Sequence, residues 1–263
     1  MNQTKNGPWN SPLLRSQVTS EDVRPPEMLF GYLIGPFGAL LASGIFTSQL
    51  QNYLTNVLKL DLGFLTTLQL LSTILIVAAN LVVGQLIERT RTLAGKARPW
   101  ILLSALTLSV ASVLMFIVPF ADRTARMVWI AIAYNAYYAV GFPIYNTANS
   151  TLVPVSTRNS KQRSTLASLT NIASLGVMGV GSMIFPTLVS MALKEDQHLW
   201  FVAMLAVAIF SAITIYLQFL FTRERVTEEG RGEDAAPKKA ASLGEQLKAV
   251  TGDVLRPDSR PLH

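Results

Sequence analysis

Six stretches of this chain carry no Asp, Glu, Lys or Arg: residues 28–58, 62–87, 99–121, 127–157, 164–193 and 197–222. The shortest of them is 23 residues long. A helix needs about 20 predominantly apolar residues to cross a bilayer, so every run is long enough to be a span. Only 14% of the 263 residues are charged, against about 25% in soluble domains, and the deficit is concentrated in these runs. In hydrocarbon each backbone N–H and C=O must be satisfied internally, which restricts spans of this length to helices. The pattern predicts a polar tail over 1–27, a six-helix transmembrane bundle over 28–222 and a second polar stretch over 223–263. The spans are set at about 28–58, 62–87, 99–121, 127–153, 164–193 and 197–222.

The same inventory narrows the chemistry. The chain has no cysteine, which removes disulfides, thiol nucleophiles and thiolate metal sites together. Its two histidines, His198 and His263, lie far apart in sequence, and all 16 Asp and Glu fall outside the six runs. No nucleophile–base pair or metal cluster is predicted at membrane depth, so the chain reads as a non-enzyme.

The basic residues supply an orientation. Eighteen of the 22 Lys and Arg lie in alternate segments: the N-terminal tail, the second and fourth loops and the C-terminal stretch. The positive-inside rule places that side in the cytoplasm, with both termini there and an even number of spans between. The net charge of +6 follows from this topology and not from a nucleic-acid site; its partner is the lipid bilayer. Residues 1–27 hold no apolar core, so the first span is expected to act as its own uncleaved targeting signal.

The most specific stretch is Gly84-Gln-Leu-Ile-Glu88-Arg89-Thr90-Arg91-Thr92-Leu-Ala-Gly95-Lys96-Ala97-Arg98-Pro99-Trp100. Gly84 permits close helix approach, Glu88 and the arginines mark a charged loop outside hydrocarbon, and Pro99 suits the first turn of the next helix. Trp100 suits the interface. This loop resembles the second-to-third helix signature of the major facilitator superfamily. Its extended form is similar to the glycoside–pentoside–hexuronide:cation symporter branch, whose familiar member is melibiose permease. Tyr145-Asn-Thr-Ala-Asn-Ser-Thr-Leu-Val-Pro154, ending the fourth run, and Gln162-Arg163-Ser164-Thr-Leu166, opening the fifth, are further matches.

The resemblance implies an all-α membrane protein: six transmembrane helices forming the N-terminal bundle of a major facilitator fold, both termini cytoplasmic, in the cell membrane. It implies transport of a sugar or glycoside by alternating access, with a C-terminal six-helix half or a second copy as partner. It also implies a cytoplasmic gate at Gly84, Glu88, Arg89, Arg91 and Arg98. Where coupled members of the branch carry acids, this chain has Asn80 and Ile76 on the second helix, Asn56 on the first and Asn146 on the fourth; Thr170 replaces an expected Arg. This half therefore supplies no carboxylate within its spans for Na⁺ or H⁺ coupling of the branch's type, though Asn can offer a carbonyl to Na⁺, and no cofactor is expected.

Neutral polar residues remain within the spans. Ser48, Asn52, Thr55 and Asn56 share one helical face, as do Tyr134, Tyr138, Gly141, Tyr145 and Asn149. Tyr rings with Asn amides combine apolar surface with two-way hydrogen bonding, which suits a sugar; the alternative role is interhelical hydrogen bonding. The substrate-binding set expected is Tyr138, Tyr145, Asn146, Asn149, Asn80, Asn52 and Asn56. A carrier of amphiphilic lipids and a non-transporting receptor or scaffold of the same fold stay open as alternatives. Ser242-Leu-Gly-Glu245 is a capping-box pattern that predicts an amphipathic helix at about 242–255 in a cytoplasmic linker.

Overall fold

The computed structural model describes residues 14–226; the expected amphipathic helix at 242–255 lies outside them. Six helices follow one another: α1 Glu27–Val57, α2 Leu62–Arg89, α3 Arg98–Leu114, α4 Arg123–Ser156, α5 Ser160–Leu193 and α6 Gln197–Leu220. Five are long and apolar enough to cross a membrane, while α3, with 17 residues, is apolar but shorter. Among the described residues there is no strand, only a single bridge between Thr92 and Gly95.

Helix starts follow from local chemistry. Asp61, Asp122, Asn159 and Asp196 precede α2, α4, α5 and α6, and each side chain accepts hydrogen bonds from first-turn amides, satisfying donors that an isolated helix leaves open. In contrast, α3 starts after Ala97, which has no side-chain acceptor. It ends at Leu114 although the apolar run continues to residue 121. Pro119 cannot donate to a further helical turn and disfavours helical backbone at Val118. The exposed end carbonyl of Leu114 instead accepts from the Trp129 indole N–H at 3.1 Å.

Three of the prolines inside the spans leave the same trace, while Pro154 near the end of α4 is not preceded by a wider turn. A wider, π-type turn immediately precedes Pro36 in α1, Pro143 in α4 and Pro186 in α5, over Glu27–Ile34, Ala136–Gly141 and Val180–Ile184. Gly35, Phe142 and Phe185 each donate to a carbonyl five residues back. Pro cannot use the carbonyl four residues back, and widening the preceding turn re-satisfies the backbone without breaking the helix.

The core centres on α1, which packs against α6, α5 and α3. Its glycines set the seam with α6: Gly31 lies against Thr222, Gly35 against Gln218 and Gly38 against Thr214, and a Cβ on Gly35 would come within 2.6 Å of Gln218 Cβ. Ser211 of α6 closes the seam by donating to the Gly38 carbonyl at 2.6 Å. On the other flank Gly44 meets Gly181 of α5 backbone to backbone, and Ser48 donates to the Gly181 carbonyl at 2.6 Å.

The alternating helices define two ends. One carries the starts of α1, α3 and α5 and most of the arginines; we call it the arginine-rich end. The far end holds the α1–α2, α3–α4 and α5–α6 connections. Much of α2 is left uncovered, with Leu70, Leu71, Ile74 and Val77 all exposed.

Candidate functional site

The π-type turn at Ala136–Gly141 decides what α4 presents. One extra residue in a turn rotates everything beyond it by about 100° relative to an unbroken α-helix. The stripe Tyr134–Tyr138–Gly141–Tyr145–Asn149, drawn at uniform spacing, is therefore split. Tyr134 and Tyr138 stay half-buried, with rings 4.5 Å apart, and Tyr138 also packs on Tyr137 at 5.0 Å. Gly141 turns onto the α3 backbone at Leu108. Tyr145 and Asn149 are buried: the Tyr145 hydroxyl donates to Gln218 Oε1 at 2.9 Å, and Gln218 Nε2 donates to Asn149 Oδ1 at 2.8 Å. Beyond the turn the open face passes to Asn146 and Ser150, both exposed.

The remaining polar candidates lie in separate settings. Asn80 is exposed on α2 and its amide donates to the Ile76 carbonyl at 2.8 Å. At the far end Asn56 donates to Asn52, and Asn52 to Gln49 Oε1 at 3.1 Å. These three line a cleft of about 310 Å³ between α1 and the end of α5, together with Val57, Pro186, Val189, Lys194 and Glu195. The seven residues thus do not form one cluster. Asn146 is exposed on α4, Tyr138 is half-buried among aromatic rings, Tyr145 and Asn149 are buried against Gln218, and Asn52 and Asn56 belong to the cleft.

The loop residues also divide. Glu88, Arg89 and Arg91 are exposed. Among the described residues none makes a close approach to Gly84, since a Cβ there would meet nothing within 4 Å. Arg98 is buried: its guanidinium donates to the Phe219 carbonyl at 2.9 Å and lies 4.6 Å over the Phe219 ring.

Sequence reasoning missed the residues that organise this end. Glu224, just past α6, accepts from the amides of Lys96, Ala97 and Arg98 at 2.9, 2.8 and 3.0 Å, supplying the cap that Ala97 cannot. Arg225 forms a two-pronged pair with Glu27 at 2.8 and 2.7 Å. Burial alone would lower the Arg225 pKa, but the hydrogen bonds and charge of Glu27 outweigh it and leave the guanidinium raised. No local signal pointed to either contact; the partners are more than 120 positions apart in sequence.

Within the six helices the carboxylates are Glu27 and Glu88, both at the arginine-rich end. Among the described residues no group of three His, Cys, Asp or Glu could hold a metal ion.

Comparison with known proteins assigns this six-helix arrangement to a family. Residues 31–254 match the MFS/sugar transport protein family. The chain belongs to that family. It is 26% identical over 242 residues to an isoprimeverose transporter of Lactiplantibacillus pentosus, covering 89% of this chain and 48% of the relative. It is 27% identical over 203 residues to the putative glycoside/cation symporter YagG of Escherichia coli (strain K12), covering 76% and 42%. A putative 2,3-dihydroxypropane-1-sulfonate exporter of the same organism is 24% identical over 247 residues, covering 90% and 52%. The chain spans about half the length of the curated relatives it matches.

Proposed function

We propose that this chain forms a six-span half of a membrane carrier that moves a sugar or glycoside by alternating access, the two halves rocking about a site near the bilayer midplane. The observation that carries the reading is the α4 face of a sugar-transport-family chain: Asn146 and Ser150 are exposed and Tyr134 and Tyr138 half-buried, while Tyr145 and Asn149 are packed behind them. Amides uncovered at membrane depth are costly against lipid and are placed against a cavity or a partner. The names of the relatives, an isoprimeverose transporter and a glycoside/cation symporter, support the same class of cargo.

In this reading Tyr138 and Asn146 contact the sugar, and Tyr145 and Asn149 fix their backbone through Gln218. Asn80 faces the substrate from α2, and Asn52 and Asn56 meet it at the far-end cleft. α3 completes six spans, both termini are cytoplasmic, and the arginine-rich end faces the cytoplasm of a cell membrane protein. Gly84, Glu88, Arg89 and Arg91 face a C-terminal six-helix half or a second copy and, with Arg98 beside them, form the cytoplasmic gate. Any coupling to Na⁺ or H⁺ draws its carboxylate from that partner half.

The test is isoprimeverose binding and counterflow by the complete gene product in proteoliposomes. Asn146→Leu and Tyr138→Leu are each expected to weaken binding by about tenfold or more, since polar contacts to a sugar hydroxyl are lost. Unchanged affinity in both overturns the site assignment. Binding without counterflow overturns the carrier.

A further inference from the structure

The segment following α6, residues 222–226, reaches three other helices in five residues. Glu224 caps the start of α3 through three amides. Its neighbour Arg225 turns the other way, to Glu27 at the start of α1 and to the Ser156 carbonyl at the end of α4, the latter at 3.0 Å. The backbone amides of Arg225 and Val226 both donate to the Val155 carbonyl at 2.9 Å. Arg98 returns from α3 to the end of α6 at Phe219. The stretch before α1 joins the same structure: Ser16 donates to the Thr222 carbonyl at 2.8 Å, the Gln17 amide to Leu220 at 2.9 Å, and Arg223 to the Thr19 carbonyl at 2.7 Å.

Two features make this more than an ordinary helix end. Glu27 and Arg98 are 1% and 5% exposed, and a buried charge that loses its partner is strongly destabilising. The contacts therefore hold or fail together. The site is also shaped around the carboxylate: Gly95 adopts φ +108°, and a Cβ there would run into the Glu224 carboxylate.

We infer that Glu224 and Arg225 are positioning residues of the transport cycle, locking the starts of α1 and α3 and the end of α4 to the end of α6 so that this end of the half turns as one piece. The inference rests on the carrier reading above. Glu224 touches no substrate; it acts through α3, whose first turn it holds beside the Gly84–Trp100 loop.

The experiment uses the complete gene product in nanodiscs for hydrogen exchange and in proteoliposomes for isoprimeverose binding and uptake. In Glu224→Ala the amides of Lys96–Arg98 are expected to exchange at least about tenfold faster, because their acceptor is gone. The saturated uptake rate falls by about tenfold while equilibrium binding changes by less than about threefold, the split expected of a group that acts on movement and not on the ligand. Glu224→Gln keeps an acceptor oxygen without the charge and gives an intermediate value in both readouts. Arg225→Lys, which keeps the charge but loses the two-pronged geometry, retains more uptake than Arg225→Met.

Unchanged exchange at Lys96–Arg98 in Glu224→Ala overturns the inference. So does an uptake loss that only tracks binding or the amount of folded protein, with Glu224→Gln as the variant least disturbing to folding. A wild type that moves no sugar overturns the carrier reading, and the exchange comparison alone then decides the clasp.

Discussion

The two ends of the bundle are held together by different physics. At the arginine-rich end the Glu27–Arg225 pair, 2.7 Å long, has side chains only 1% and 10% exposed and lies among backbone acceptors. At the far end the Lys59–Glu195 pair, 3.2 Å long, has side chains 67% and 70% exposed. A second charged group there, Arg126, is half-buried and donates to the Leu58 carbonyl at 3.0 Å. Charges at one end have been taken out of water and can be given up only at high cost. Those at the other end exchange easily with solvent. The far end is also where α1 and α5 part to leave the cleft. A bundle built this way is tied most strongly where its segments converge and least where its cleft opens.

That contrast can be broken by substitution. Arg225→Met leaves the Glu27 carboxylate buried without a partner and is expected to cost about 3–5 kcal/mol, read as a large fall in apparent melting temperature in detergent. Arg126→Met removes a charged donor from the end of α1 and should cost about 1.5–3 kcal/mol in the same assay. Lys59→Met should cost less than about 1 kcal/mol, and that small effect should vanish at high salt, because exposed pairs are screened. Equal losses for Arg225→Met and Lys59→Met would remove the distinction between the ends. A salt-sensitive melting temperature in Lys59→Met, beside a salt-insensitive one in wild type, would place the screening at the wrong pair.

How much of the site was legible varied with the range of the interaction. The glycines of α1 that let α6 approach closely, Gly31, Gly35 and Gly38, stand near one another in the chain at roughly helical spacing. At Gly84 no described residue makes the close approach that the sequence suggested; nothing in its neighbourhood reveals which helix lies opposite. The tyrosine stripe of α4 was half legible. Its residues were identified, but uniform helical spacing put Tyr145 and Asn149 on the face of Tyr138, and the turn before Pro143 moved them to the α6 side. The proline was visible in the sequence; the way the helix would absorb it was not.

The sequence by itself determined that the chain is built from long apolar helices, because charge is excluded from hydrocarbon whatever the fold. It also determined which loop carries the family signature, since that information is contiguous. Only the tertiary structure decided that Glu224 caps α3, that Arg225 pairs with Glu27, and that Asn146 rather than Asn149 lies uncovered on α4. Those choices depend on helix phase and on segments more than 120 positions apart in the chain. A buried charge or amide is satisfied by whichever partner packing brings within about 3 Å, and packing is a property of the whole bundle.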